Sequence, residues 1–580
     1  MQISPKSISA GLSSSELSVN DNFNCQVIFS NTGDLYQTSD LTFILFGYLI
    51  GHVKLNDLAT RYQQSKGDLT ELYSCLNGEF FLTIYDKRRE KVIIFNDHIG
   101  SQSCYYYLKD KTLFISDSLK EINNVNGGAL TLSNQALFNY LYFHCIPSPT
   151  TIYNDVYKLE PGKAVIYDGK ATLSTQLLYQ PEFTQTSNSA DLKTECLTVI
   201  EEAVKESITE NCGAFLSGGL DSSTVSGMLA RHQAKAKTFS IGFEVAGYDE
   251  TEYAQITANH FGTDHKVLYL KPEQAAQEFL NIVQHFDEPF GNSSSMAAYF
   301  CAKFAKEHGV TTLLAGDGGD ELFAGNDRYA KQKQFELYYK LPSFVRTLLN
   351  GTLNNTFAAK VPGISKAASY VRQAEVTLPE RLQSYNFINI VGLNEMFTSD
   401  FISTVDTNLP IEQLKQRYNE ANSEHPVDRM LYLDWKFTLA DNDLVKVNRM
   451  CELAGVTVRY PLLDKRVVDF SCQVSAETKL PGSKLRHFYK EACRGFLADK
   501  TLDKSKHGFG LPFGVWLKEN EQLKTIALNA LERFKSRKIV ADTLIEKALS
   551  AHQSIHAGYY GELIWIIVVL ELWLQNHESE

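Results

Sequence analysis

Residues 212–229 read CGAFLSGGLDSSTVSGML. A short apolar run, Ala214-Phe215-Leu216, meets Ser217-Gly218-Gly219-Leu220-Asp221-Ser222-Ser223, and a helix-like run follows. A strand, a turn of small residues and a helix start make a geometry that holds phosphate. The glycines let the backbone come close to an anion, and the hydroxyls of Ser217, Ser222 and Ser223 can donate to it. Unpaired N–H groups at the helix start add partial positive charge. Asp221 repels phosphate, so its natural role is to hold a Mg2+ that bridges to the phosphates. A glycine turn capped by a serine explains Ser-Gly-Gly alone, but not all seven residues after a strand.

A second group lies about 95 residues downstream: Ala315-Gly316-Asp317-Gly318-Gly319-Asp320-Glu321-Leu322-Phe323-Ala324-Gly325. Glycines interleave with three acids after an apolar run. The glycines let such a turn lie against a nucleotide. Asp320 can share a Mg2+ with Asp221 while phosphate oxygens complete the octahedron. Asp317 is placed to accept protons or to orient an amine. A solvated acidic turn is the plainer reading of this stretch by itself; its pairing with the upstream loop favours the nucleotide site.

These groups need elements that bring them together. Residues 191–210 form an amphipathic helix candidate, followed by the strand and helix around the loop. A strand at 236–243, a helix at 250–261, a strand at 265–270, helices at 273–285 and 296–308, and a strand at 310–314 follow. This alternation predicts a doubly wound parallel sheet, in which ligands sit beyond the carboxyl ends of the strands. Both groups should therefore face one crevice. From about 327 to 580 the pattern is mostly helical, and includes Asp441, Asp443, Lys446 and Arg449. From Cys25 to about 180 it is mostly β, with helix candidates at 54–64 and 133–143. Residues 1–24 read as a polar flexible or edge segment. Residues 181–190, PEFTQTSNSA, read as a linker. The expected division is 1–180, the linker 181–190, and 191–580.

The Ser217–Ser223 run resembles the pyrophosphate loop (PP-loop) of the ATP pyrophosphatases; it is neither a P-loop nor a GxGxxG turn. Together with 315–325, the Asp287–Ser295 run (DEPFGNSSS), Arg459-Tyr460-Pro461-Leu462-Leu463-Asp464 and Lys504-Ser505-Lys506-His507-Gly508-Phe509-Gly510-Leu511-Pro512, it resembles the synthetase half of asparagine synthetases. The resemblance implies that Leu216, Ile241 and Gly316 touch adenosine and that Ala315, in place of the family's serine, lies beside the nucleotide. It also places Lys506 at the catalytic lysine position, where a cation neutralises charge on the α-phosphoryl and the leaving pyrophosphate. Thr457 stands where most relatives carry a glutamate.

The first half resembles, more weakly, the glutaminase half of class II glutamine amidotransferases, an N-terminal Ntn-hydrolase-like β sandwich. Asn77-Gly78-Glu79-Phe80, Asn96-Asp97-His98-Ile99-Gly100 and Asp117–Ile122 sit where that family has its NGxF, DRxG and SExKAL segments. The family's nucleophile is an N-terminal cysteine whose own amino group serves as base. Here Met1 is followed by Gln2, which predicts a half without glutamine hydrolysis. Cleavage after Asn24 would expose Cys25, but Cys25-Gln26-Val27 lacks the glycine pattern that follows the family's nucleophile.

Composition narrows the remainder. At 580 residues the chain exceeds one core. Net charge is −12 without a basic block, which argues against nucleic acid. Ten scattered cysteines with no CxxC point to reduced thiols and a cytoplasmic location. The apolar runs 41–51 and 562–574 are too short to span a bilayer and read as buried strand or helix. The expected activity is AMP-forming, Mg-ATP-dependent amide synthesis on a small-molecule or peptide substrate bearing a carboxylate, with a substrate amine as the nitrogen source. The β-lactam synthetase and lasso-peptide cyclase branches are the similar cases. An ammonia-fed asparagine synthetase relative and a catalytically inactive scaffold are the alternatives; a homodimer or a biosynthetic partner protein remains open.

Overall fold

The computed structural model describes residues 6–7, 15–21, 23–29, 33–51, 53–169, 172–184, 189–353, 364–504 and 510–578. The first half stacks two sheets. One runs Lys6–Ser7, Asp34–Gln37, Leu41–Leu49, Gly78–Asp86, Lys91–Asn96, Lys163–Tyr167, Leu173–Leu177, antiparallel throughout. The other runs Val156–Lys158, Tyr105–Lys109, Thr112–Ser116, Phe23–Phe29, Ser15–Asp21, with one parallel pair at Thr112–Ser116 and Phe23–Phe29. Val27, Ile44, Phe46, Phe81, Ile94 and Ile115 fill the layer between them. Alternate residues of the larger sheet, among them Phe43, Phe80, Leu82 and Phe95, face the other way into a core continuous with the second half. Every residue of Gly78–Asp86 is therefore buried, and its run GEFFLTIYD is apolar with hardly any alternation.

The helices Leu55–Gln64 and Asn134–Phe143 match the expected positions. The helix Leu69–Ser74 was not legible: six residues are too few for periodicity, and it starts on Asp68, whose carboxylate accepts from the N–H groups of Thr70 and Glu71. Cys25 lies inside its strand, paired in register with Val19 and Leu113 on either side. Burial pushes its thiol up to about 12.

The second half holds one parallel five-stranded sheet in the order Asp264–Tyr269, Lys237–Gly242, Cys212–Phe215, Thr312–Leu314, Thr457–Arg459. The chain starts at the centre, winds outward through two crossovers, then returns to the other side. The switch in direction falls between Cys212–Phe215 and Thr312–Leu314, and a crevice opens beyond the carboxyl ends of such neighbours. The edge strand Thr457–Arg459 has only three residues and gave no periodic signal. Residues 185–188 of the expected linker lie outside the described residues; the next helix already begins at Ser189.

A long helical segment crosses under the crevice. It runs as α-helix from Pro426 to Asp434, as π-helix through Trp435–Asp443, and as α-helix again through Leu444–Ala454. π-turns inside helices recur at functional sites. The final apolar run belongs to a helix of 22 residues, Ala557–Glu578, so length alone does not exclude a membrane span. Its apolar stretch is 67% buried, with Trp565, Ile567 and Trp573 packed among the neighbouring helices, as expected of a core element.

Candidate active site

Two loops meet at the switch point. The first leaves Phe215, and its helix starts at Leu220. Ser217 Oγ and Ser222 Oγ lie 3.0 Å apart, and the Ser217 N–H donates to Ser222 Oγ at 3.2 Å. The Gly219 N–H reaches Ser217 Oγ at 3.4 Å. The second loop follows Leu314. A Cβ on Gly316 would come within 2.6 Å of the Ser222 nitrogen, so the two backbones are in contact only because position 316 has no side chain. Gly318, at φ +102°, lies against the side chain of Leu463 in the same way.

Between these loops opens a cavity of about 1040 Å³, at the upper end of the roughly 300–1,000 Å³ usual for ligand sites. Leu216, Ser217, Gly219, Asp221, Ser222, Ile241, Gly316, Asp317 and Asp320 all line it. Three expected residues do not. Ser223 lies one helical step round from Ser222, where it is fully buried and shares a 2.9 Å hydrogen bond with Thr257 Oγ1. Ala315 continues the sheet, its N–H bonded to the Arg459 carbonyl at 2.9 Å. Gly218, at φ +72°, shapes the turn and packs under Tyr253 and Ala254. Lys506 lies outside the described residues. Lys504, two positions earlier, lines the cavity and pairs with Glu250 at 3.1 Å.

Asp221 and Asp320 converge on one guanidinium, that of Arg486. Its Nη1 is 3.4 Å from Asp221 Oδ2, and its Nη2 pairs with Asp320 Oδ1. Both acids lie against glycine backbone, Asp221 at Gly319 and Asp320 at Gly325, where a Cβ would overlap each carboxylate. Two hard oxygen donors from separate loops, already gathered around a cation, suit Mg2+, which takes one or two carboxylates and leaves its other positions to water and phosphate. No group of three His, Cys, Asp or Glu side chains forms a protein-only metal cage among the described residues. The donor set thus fits a metal brought in with a nucleotide.

Asp317 faces a separate pair, Lys446 and Asp443, joined at 2.7 Å. Burial raises the Asp317 carboxyl to about 6; Lys446 opposes the shift and Asp443 adds to it. The π-turn ends at Asp443 and so brings that pair into the cavity wall. The other two residues of this stretch hold the halves together. Asp441 accepts from the Ser148 N–H at 3.1 Å, and Arg449 pairs with Asp287 and donates to the Asp117 carbonyl at 3.1 Å.

The RYPLLD segment is gripped by the first half. Glu79 Oε1 accepts from the Tyr460 N–H at 2.7 Å and from the Tyr48 hydroxyl at 2.6 Å. Asn77 donates to Asp464 at 3.0 Å and accepts from the Lys465 N–H at 3.0 Å. His98 Nε2 is 2.9 Å from the Leu463 carbonyl. Arg459 lies over the Tyr48 ring at 4.0 Å. Thr457 is exposed at the far end of its strand, paired with Thr312 rather than facing the cavity.

Residues 195–575 match the family described as asparagine synthase, and residues 59–178 match the glutamine amidotransferase domain. The chain belongs to the asparagine synthase family. It is accordingly an ATP-dependent carbon–nitrogen ligase of that family, and its β sandwich is a glutamine amidotransferase-type domain. Asparagine synthetase (glutamine-hydrolyzing) 1 of Bacillus subtilis strain 168 is 26% identical over 512 residues, covering 87% of this chain and 78% of its own. A putative asparagine synthetase 2 of Methanocaldococcus jannaschii is 31% identical over 341 residues, 54% of this chain and 64% of its own. The Gibberella zeae protein named amidase chry2 is 22% identical over 493 residues, 76% and 71% of the two chains.

Sequence reasoning missed Arg486 and the role of Glu79. Arg486 stands in KLRHFYK, where nothing in the spacing points to two acids more than 150 residues away. Glu79 was quoted only as part of a motif, and its partners come from the other half.

Proposed function

We propose that this asparagine synthase family member joins a substrate carboxylate to a substrate amine, through an acyl-adenylate, without making ammonia of its own. One observation carries this reading: Ser217, Ser222, Asp221, Asp317 and Asp320 converge on one cavity, while the first half offers no thiol arranged for catalysis among its described residues. Cys25, Cys104 and Cys145 are buried, with thiols pushed far up by burial, and Cys75 caps a short surface helix beside Arg61. Asn77 and Glu79 are taken up by contacts to the second half.

In this reading ATP is a substrate. The carboxylate attacks its α-phosphorus, the bond to the β-phosphate oxygen breaks, and pyrophosphate leaves. The amine then attacks the acyl carbon, its proton passes to a base, and AMP departs. Ser217, Ser222 and the Gly219 N–H cradle the phosphates, and Leu216, Ile241 and Gly316 border the base and sugar. Asp221 and Asp320 would hold Mg2+, which would supply positive charge against the leaving pyrophosphate. Asp317, near 6, is ionised at neutral pH yet basic enough to take the amine's proton. Lys506 adds its charge from the segment that begins at Lys504. The first half serves as a scaffold. A small-molecule amide synthetase and a peptide macrolactam cyclase both fit this scheme.

A second reading is favoured by the relatives named glutamine-hydrolysing asparagine synthetases: ammonia, free or from a partner, replaces the amine. AMP and pyrophosphate release with aspartate plus ammonium, or plus glutamine, separates the two. Turnover with ammonium selects the second reading, and glutamate released from glutamine refutes the scaffold role. Turnover only with an amine-bearing substrate supports the first.

A further inference from the structure

Asp221 and Asp320 come from loops that nothing in the backbone forces to share a charge. Each faces the other across Arg486, whose side chain is 11% exposed. Several features hold that arginine in place. Its N–H donates to the Ala324 carbonyl at 3.1 Å. Its backbone sits at φ +52°, an uncommon region for a residue with a Cβ. Position 325 is glycine, and a Cβ there would overlap both the Arg486 Nε and the Asp320 carboxylate. A non-glycine residue held at positive φ, with a glycine opposite to make room, is a built arrangement rather than an incidental surface ion pair.

We propose that Arg486 is the counter-ion that keeps Asp221 and Asp320 paired, and that it competes with a divalent cation for them. This rests on the Mg-ATP reading above. Two consequences follow. A metal alone must displace a guanidinium already seated on both carboxylates, so it binds weakly. Metal arriving with a nucleotide supplies phosphate oxygens in the same cavity, which give the displaced guanidinium a new partner. Arg486 thereby couples metal binding to nucleotide binding: each strengthens the other, and neither acid is left without positive charge. Arg486 is a positioning residue that works through the two aspartates.

The test uses Mn2+ as a spectroscopic probe, with free Mn2+ counted by electron paramagnetic resonance, with and without ATP, on the full chain. In the wild type, ATP should tighten Mn2+ binding strongly. In Arg486→Met, Mn2+ alone should bind about tenfold or more tighter than in wild type, and the ATP-dependent enhancement should shrink by a similar factor. Adding Asp320→Asn to that variant should remove the gain. Equal or weaker Mn2+ binding by Arg486→Met overturns the proposal. If Arg486→Met does not fold, Arg486→Lys keeps the charge but cannot span both acids, and a smaller gain in Mn2+ affinity is expected; no gain overturns the proposal. The two readings fail separately. Wild type that binds Mn-ATP beside a variant with no Mn2+ gain refutes the coupling alone. A variant that gains Mn2+ beside a wild type that ignores ATP refutes the nucleotide reading and leaves the counter-ion role standing.

Discussion

Glu79 is buried, and its surroundings make a quantitative claim. Oε1 accepts two hydrogen bonds, from Tyr48 and from the Tyr460 N–H, while Oε2 is buried with no hydrogen-bond partner among the described residues. Burial, only partly offset by those donors, raises the carboxyl from 4.5 to about 7. The unfolded chain ionises this group first. Its contribution to stability is therefore most favourable below pH 4.5, and falls as pH rises from there to about 7. A shift of that size corresponds to about 3 kcal/mol in full, of which about 2–3 kcal/mol falls between pH 5 and 8. Glu79→Gln keeps an acceptor oxygen for both donors but cannot ionise. It buries an amide N–H₂ at a constant cost of about 1–3 kcal/mol, independent of pH. The stability difference between the two proteins must therefore change with pH, in favour of the variant as pH rises. Calorimetry at pH 5, 6, 7 and 8 measures it in the transition that melts the first half. At roughly 2–4 °C per kcal/mol for a unit of that size, the melting point of Glu79→Gln should gain roughly 5–10 °C on the wild type across that range. Curves that stay parallel would refute the buried, shifted carboxylate.

Asp317→Asn should cost on the order of 10²–10⁴ in the amine-transfer step, and should remove a fall in rate that the wild type shows as pH drops below about 6; single-turnover kinetics over pH 5–8 checks both. Gly316→Ala pushes a Cβ to 2.6 Å from the Ser222 nitrogen. With overpacking at about 1–3 kcal/mol and backbone on both sides, ATP binding by calorimetry should weaken tenfold or more, and unchanged binding would separate the two loops. Asp221→Asn and Asp320→Asn should each abolish Mg2+-dependent pyrophosphate release, and normal release in either would remove it from the metal site. Lys506→Ala should spare ATP binding and slow turnover on the order of a hundredfold or more; unchanged turnover would make it an ordinary loop lysine.

The second half's strands and helices were legible to within two residues, from the helix at 250–261 to the strand at 310–314, because each is long or periodic enough to show one buried face. The switch point, and with it the meeting of Asp221, Asp317 and Asp320, followed from strand–helix alternation. What escaped the sequence had no period to read. Thr457–Arg459 is three residues, and Leu69–Ser74 is little more than one turn. The placement of Ser223 comes from rotation: adjacent helical residues are about 100° apart, so the hydroxyl next to Ser222 bonds Thr257. Arg486 and Glu79 are set by tertiary contact alone. A single arginine or glutamate carries no mark of the partner that folding will bring to it.

The grip on RYPLLD reaches further than the interface. Glu79, Asn77 and His98 hold residues 460–465 by their backbone and by Asp464. Leu463 of that segment is the surface against which Gly318 lies, and Gly318 and Gly319 join Asp317 to Asp320. The sandwich thus supports, from behind, a loop that lines another half's cavity, two contacts from Asp317 and Asp320. The first half can drift freely only where it does not touch that segment. Sequence change over time should therefore be steep along the outer strands such as Leu173–Leu177 and shallow at positions 77, 79 and 98. A shortened chain made of the second half alone would lose activity even though every residue proposed to touch ATP is still present.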